Sequence, residues 1–367
     1  MSKIKSLTYV LLLFVIFFSG LIYAQDKPKD NANKLNFKGL TFQPGYRIQT
    51  RYTYDFQSNI HDIMLRRVRL KGKGDAFGIA KYYVEIKIDN VAQEGKTPKA
   101  KAESVFLDFK LRPALNIRIG QYDVPFTRSL LTSDSKLLFM NRSIITNKLA
   151  KFGLVDNTQG LLIFGRPHNG RFEYSFGIFD NEVFEKSGSQ SSKWTKNLMP
   201  AGRFVLNLWD STPKDGGYAD YKASYIGKGK RLAIGVNGVT LSDVHEDTLQ
   251  YTLSAFGADI YANYEAISFE AEYDSYKKEV SGFGWYVQSG YVLPFESNDY
   301  KLEPAVRYQE FDPNKDAAGD KSTWYSFGLN IYLKGHNLKT QLDYTVKKEE
   351  TNEVDNNTFQ VQLQLDF

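Results

Sequence analysis

Five cations crowd into eight positions of the stretch "IMLRRVRLKGKGD", residues 63–75: Arg66, Arg67, Arg69, Lys71 and Lys73. Read with the two-residue period of a strand, Arg67, Arg69, Lys71 and Lys73 share one face. Val68, Leu70 and Gly72 share the other, together with Arg66. Same-face neighbours on a strand stand about 6.7 Å apart. The pattern is therefore a row of cations along one side of an otherwise apolar strand. Arginine forks bind oxyanions through paired N–H groups and stay charged at any working pH. The chemistry on offer is anion binding at a series of sites.

Other segments supply cations to the same kind of face. Arg47 and Arg51 lie on the polar side of the strand before, Lys81 and Lys87 on the strand after, and Arg118 on a strand further on. Neighbouring strands run about 4.8 Å apart, so these polar faces would merge into one basic wall. Glu85, Asp89 and Asp108 fall on that wall and would neutralise part of it. Arg66 conflicts with the alternation. A charge facing mid-bilayer costs about 2–4 kcal/mol. Arg66 is therefore expected to snorkel at a rim, or to be turned inward with Arg67 by a bulge.

The elements that carry these residues alternate strictly. Phe359, Val361, Leu363, Leu365 and Phe367 oppose Gln360, Gln362, Gln364 and Asp366; Tyr46, Ile48, Tyr52 and Tyr54 oppose Arg47, Gln49, Arg51 and Thr53. Ten-residue segments of this kind, separated by turns and rich in Tyr and Phe towards their ends, are the signature of a transmembrane barrel. The expected fold is all-β, an antiparallel barrel over residues 37–367. Seventeen segments read as strands, among them 219–227, but a barrel with both ends on one side needs an even number. The order of short and long turns, followed from the two ends, disagrees between Ala201 and Gly227. Sixteen strands are expected, with eighteen the alternative.

Before the barrel, Lys3 and Lys5 precede an apolar run that ends at the small Ala24. This predicts a secretory signal peptide over residues 1–24, followed by a short periplasmic tail over 25–36. Residues 121–156 are too long and too apolar for a free loop, and carry Arg128, Lys136, Arg142, Lys148 and Lys151. They form the third outer loop and are expected to fold into the lumen.

Several function classes recede. There are no cysteines, hence no disulfides or thiolate metal sites. His61, His168, His245 and His336 read as turn or loop residues without a nucleophile motif beside them, so neither catalysis nor a metal site is expected. A formal charge of +5 with alternating strands and an export signal argues against nucleic acid. A sugar channel would need aromatics on the lumen face, whereas most Tyr and Phe read as lipid-facing.

The segments "YRIQTRYTY", "LRRVRLKGKG", "AKYYVEIKID", "IRIGQYDVPFTRSLLTSDSKLLFMNRS" and "FGADIYANYEAISFEAEY" resemble the phosphate-selective porin O and P family. The resemblance implies a sixteen-stranded, homotrimeric barrel of the bacterial outer membrane, with the third loop folded inward. It also implies a ladder of Arg and Lys leading to a central anion site, no cofactor, and a channel rather than an enzyme. By that likeness Arg47, Arg66 and Arg67 correspond to site arginines and Lys81 to a pore lysine. The family's loop lysine has no counterpart: Leu130 falls near its place, flanked by Arg128 and Lys136. Small anions, phosphate first, are the implied solutes; a general-diffusion porin is the alternative. Phe367 resembles the signal read by the barrel-assembly machinery.

Overall fold

The computed structural model describes residues 35–89, 99–155, 157–180, 193–215, 218–246, 248–294, 299–350 and 356–367. The expected signal peptide and most of the tail lie outside these residues. Sixteen antiparallel strands form one closed barrel. They are β1 Leu40–Asp55, β2 Ile60–Ala76, β3 Ala80–Asp89, β4 Lys99–Arg112, β5 Leu115–Asp123, β6 Asn157–Gly165, β7 Phe172–Phe179 and β8 Met199–Asn207. The circuit continues with β9 Lys230–Glu246, β10 Leu249–Tyr264, β11 Ile267–Lys277, β12 Ser281–Tyr291, β13 Lys301–Asp312, β14 Ser322–Tyr332, β15 Leu338–Glu349 and β16 Thr358–Asp366. Each strand pairs with its sequence neighbour. The barrel closes where β1 meets β16, with Arg47 opposite Asp366 and Arg51 opposite Gln362.

The barrel is inside out relative to a soluble fold. Gln49 and Gln364 on the inner face are 0% exposed, whereas Phe327 and Val306 on the outer face are 55% and 54% exposed. A soluble sandwich would bury the apolar face. Here only lipid can cover it, and closure leaves no sheet edge unsatisfied in that lipid.

The loop between β5 and β6 lies on the inner face, as its apolar content demands. It holds two helices, α1 Arg128–Leu131 and α2 Ile144–Lys151, with a 3₁₀ turn Asp134–Lys136 between them. Thr127 Oγ1 caps α1 by accepting from Leu130 N at 2.9 Å. Ser143 Oγ caps α2 by accepting from Thr146 N at 3.2 Å. Ile145 and Leu149, four residues apart, pack in a cluster that also holds Leu162, Phe179, Val239 and Leu253 from the inner faces of β6, β7, β9 and β10. Polar anchors come from the far wall. Gln309 accepts from Ile144 N (3.0 Å), Asp343 from Met140 N (2.8 Å) and Asn237 from Thr127 N (2.6 Å). Asn330 and Lys339 donate to the carbonyls of Leu138 and Leu137, each at 3.0 Å.

The strand expected at 219–227 does not exist. The described residues 208–215 and 218–229, at the opposite end of the barrel from the β5–β6 loop, belong to a connection that enters the lumen and meets that loop, with Ala223 N donating to the Lys136 carbonyl. Tyr221, Ala223, Ser224 and Tyr225 are buried there. Their alternation fits a strand, but the aromatics find cations inside rather than lipid outside. Arg118 lies 4.5 Å from the Tyr218 ring centre, Arg128 4.7 Å from Tyr221 and Arg231 3.9 Å from Tyr225. Removing this segment from the strand count resolves the odd total. The lumen also holds more aromatics than the alternation suggested: Tyr261, Tyr286 and Tyr332 point inward and are buried. Their hydroxyls find carboxylates there, Tyr286 on Glu270 and Tyr332 on Glu303 at 2.5 Å each.

Candidate functional site

The inward loop and the 208–229 connection together fill the β9–β15 side of the barrel. On the β1–β5 side two cavities of about 270 Å³ each border the wall, and a larger one of about 940 Å³ lies at the β4–β5 and β6–β7 turns. Of the two on the wall, the first lies against the loop and is lined by Arg47, Arg69, Glu85, Glu103, Asp134 and Arg142. The second lies nearer the short-turn end and is lined by Lys73, Lys81, Asp75 and Asp108. Tyr83, Phe106 and Arg118 border both. Of the cations read from the sequence, Arg47, Arg69, Lys73, Lys81 and Arg118 line these cavities, whereas Arg51, Arg66, Arg67, Lys71 and Lys87 do not.

Most of the wall is paired with acids. Arg47 bonds Asp366 (3.1 Å) and the hydroxyls of Ser133 (2.7 Å) and Ser135 (3.0 Å) on the loop. Lys71 shares Asp366. Arg69 lies 3.3 Å from Glu85 and 3.6 Å from Glu103, which Lys87 also engages. Arg118 grips Asp108 through two bonds of 2.7 and 2.8 Å while Phe106 covers its guanidinium at 3.7 Å. Glu85 and Asp108 neutralise the wall as expected; the side chain of Asp89 lies outside what is described. Arg51 differs, since its hydrogen-bond acceptors are neutral: Gln362 (2.8 and 3.0 Å), Asn141 (2.8 Å) and the Met140 carbonyl (3.1 Å). Lys81 stands opposite Asp108 in the ladder.

Two bulges set the charge pattern. Gln49 pairs with Arg67 and Thr50 with Leu65, so Arg66 is the extra residue of β2. A bulge of this type lets consecutive side chains share a face. Arg66 is itself exposed, and its guanidinium is one of those that act electrostatically on Asp134. In the same way Glu85 pairs with Ser104 and Ile86 with Ala102, leaving Glu103 as the extra residue of β4. Its contacts with Arg69 and Lys87 show that it points inward.

Three of the loop's five cations, those expected at the constriction, divide. Arg142 lines the first cavity, bonding Asp134 and the Thr132 carbonyl at 2.9 Å. Arg128 does not line it. Its guanidinium is fully buried, 3.5 Å from Glu270 and 3.9 Å from the Tyr261 ring centre. Lys136 points to the other inward segment, where Asp220 takes it at 2.5 Å.

Asp134 is the residue that the sequence reading missed. Arg67 Nε donates to its Oδ2 at 2.8 Å and Arg142 Nη1 donates to its Oδ1. Burial alone would push this carboxyl up. The guanidiniums of Arg142, Arg67, Arg47 and Arg66 outweigh burial and hold it well below the usual carboxylate range. No signal in a single sequence marks it: it is an isolated acid in a loop notable for its bases.

Of the four histidines, His61 and His245 lie in β2 and β9, rather than in turns. His168 and His336 occupy turns, as expected. Among the described residues no group of His, Asp and Glu is arranged to hold a metal ion.

A closed barrel with lipid-facing apolar strands, a charged lumen and an inward loop defines the class of outer-membrane porins. The chain belongs to the phosphate-selective porin O and P family, whose model matches residues 38–367. A relative from Aquifex aeolicus, described as an uncharacterized protein, is 26% identical over 287 residues, covering 73% of this chain and 68% of its own. Two solved barrels share the fold. The trimer form of the outer membrane protein OmpT from Vibrio cholerae has a TM-score of 0.59 at 10% identity, covering 90% of this chain and 100% of its own. An anion-selective porin from Comamonas acidovorans has a TM-score of 0.55 at 12% identity, covering 89% and 100%.

Proposed function

We propose that this porin is an anion-preferring channel whose path runs between the inward loop and the β1–β5 wall. One observation carries the reading. Arg47, Arg51, Arg67 and Arg142 converge at the loop, and among the described residues the carboxylates bonded to members of this cluster are Asp134 and Asp366. An anion entering a narrow pore must shed part of its hydration, and fixed guanidinium donors replace it. Below the cluster, Arg69, Lys71, Lys73, Lys81, Lys87 and Arg118 continue the row, each moderated by nearby acids. Moderation favours passage over trapping, because conduction needs sites that an ion can leave. Small anions are the solute class, and inorganic phosphate is the one whose oxygens best match paired guanidiniums. The anion selectivity of the Comamonas acidovorans porin named above, and the trimer form of the OmpT barrel, support the same properties here. Exposed Phe367, hydrogen-bonded to Tyr46 through both backbone groups, supports a role in recognition by the assembly machinery. Export with cleavage after Ala24 completes the proposal.

A second reading has its own support. The carboxylates beside Arg69, Lys71, Lys87 and Arg118 leave much of the path charge-balanced, which suits a general-diffusion porin. Reversal potentials in planar bilayers, with phosphate titrated against chloride, decide between them. Anion preference with phosphate block of the chloride current supports the first; no ionic preference supports the second.

A further inference from the structure

We propose that Asp134 is a tethered competitor for the pore's anion site: the loop carboxylate sits where the oxygens of a passing anion would bind, and so sets the affinity of the arginine cluster. The proposal rests on the anion-channel reading. Asp134 presents one oxygen to Arg67 Nε at 2.8 Å and the other to Arg142. These are the contacts a phosphate or sulfate would make with the same two forks. The hydroxyls of Ser133 and Ser135, bonded to Arg47 on either side of it, extend the polar ring. The carboxylate borders the first open cavity rather than a sealed interior.

A purely structural role is the competing account, and the loop's other bonds argue against it. The residues around Asp134 are already fixed. Gln364 donates to the Ser135 carbonyl at 3.1 Å, Lys339 to the Leu137 carbonyl at 3.0 Å, and Arg142 to the Ser129 carbonyl at 3.0 Å. Lys136 N closes the 3₁₀ turn on the Ser133 carbonyl at 2.7 Å. The backbone path is thus held on both sides without the carboxylate. What the carboxylate adds is charge, at the point where guanidiniums from β1, β2 and the loop converge. An occupied cluster binds an incoming anion weakly and releases it quickly. An emptied one would hold it.

The absence of native cysteine makes the test clean. In Asp134→Cys, single channels in bilayers are recorded before and after labelling with a sulfonatoethyl thiosulfonate, and again after reductant. Inorganic phosphate is titrated against chloride current each time. The unlabelled variant should be blocked at roughly tenfold lower phosphate than the wild type, the effect of one removed charge discounted for water in the lumen. Labelling restores a negative charge and should return block towards the wild-type range, and reductant should reverse it. Because the change is made within one folded channel, misfolding cannot imitate the result. Asp134→Asn, checked for its heat-modifiable folded band, should show the same tightening. If block is unchanged by labelling while the wild type prefers anions, the competitor role is overturned and the channel reading stands. If the wild type prefers cations, the channel reading itself falls.

Discussion

Lys136 Nζ lies 2.5 Å from Asp220 Oδ1, joining a loop from one end of the barrel to a connection from the other. Ala223 N donates to the Lys136 carbonyl at 3.1 Å beside it. The two inward segments therefore brace each other across the lumen. Behind them the inner wall carries Asp259, Glu270, Glu272 and Asp274, all buried. Replacing residues 209–228 with a short Gly/Ser turn should remove the brace of the loop that covers Glu270 and Glu272 and so open these acids to the lumen. Single-channel conductance should rise severalfold, and reversal potentials should move towards cations. Unchanged selectivity would mean that the acids remain covered. The single substitution Asp220→Ala should cost at most about 1 kcal/mol, because the pair is partly exposed.

Deleting residues 129–147 removes the loop's share of the arginine cluster along with its bulk. Conductance should increase and anion preference weaken, both read from single-channel recordings. A loop that merely lined the rim would leave both untouched.

Arg67 and Arg128 should separate in their effects. Arg47→Ala and Arg67→Ala should each lower the anion-over-cation permeability ratio, and the folded barrel should persist. Arg128→Ala leaves Glu270 buried without its cation, an event that costs about 3–5 kcal/mol. Its thermal unfolding in detergent should shift down while neighbouring Ser129→Ala should not. Selectivity loss in Arg128→Ala at full stability would contradict this division.

The depressed Asp134 carboxyl gives a pH window with a definite sign. Arg142 on the loop, Arg66 and Arg67 on β2 and Arg47 on β1 all favour its ionised form. An unfolded aspartate titrates near about 3.9. The stabilisation is therefore fully present above that pH and is lost as pH falls below it. The difference in melting temperature between wild type and Asp134→Asn should be flat from about pH 7 to 5 and should shrink below about pH 4. A difference that grows on acidification would reverse the assignment.

Much of the architecture was legible because period two leaves little freedom. The alternation in "NTFQVQLQLDF" separates the two faces of β16, with Gln362 and Gln364 covered on the inner side, although Val361 on the other face is covered by Tyr52 and Tyr54 rather than left to lipid. Legibility failed where local pattern and tertiary environment part company. Tyr221, Ala223 and Tyr225 alternate like a strand, yet cations inside the barrel capture the ring faces. Glu103 sits on the wrong parity, and only a bulge, invisible without the partner strand, turns it inward. The basic wall was evident from composition and spacing. Among its acidic partners Glu85 and Asp108 were legible from the same strands, but Asp366 and Asp134 were not, since Asp366 meets Lys71 across the barrel seam and Asp134 arrives from a loop.

That seam has a bearing on biogenesis. Arg47 and Asp366 are 319 residues apart in sequence, and they meet only when β16 zips onto β1. Gln49 with Gln364 and Arg51 with Gln362 complete the same set of bonds across the junction. Contacts of such sequence separation form late, because the loop they close costs entropy before it returns any stabilisation. On the proposed anion path, a sheet still gaping at its first and last strands would have a hole but no completed arginine cluster. If that path is the channel, a defect in seam closure would reach the cell first as an indiscriminate leak.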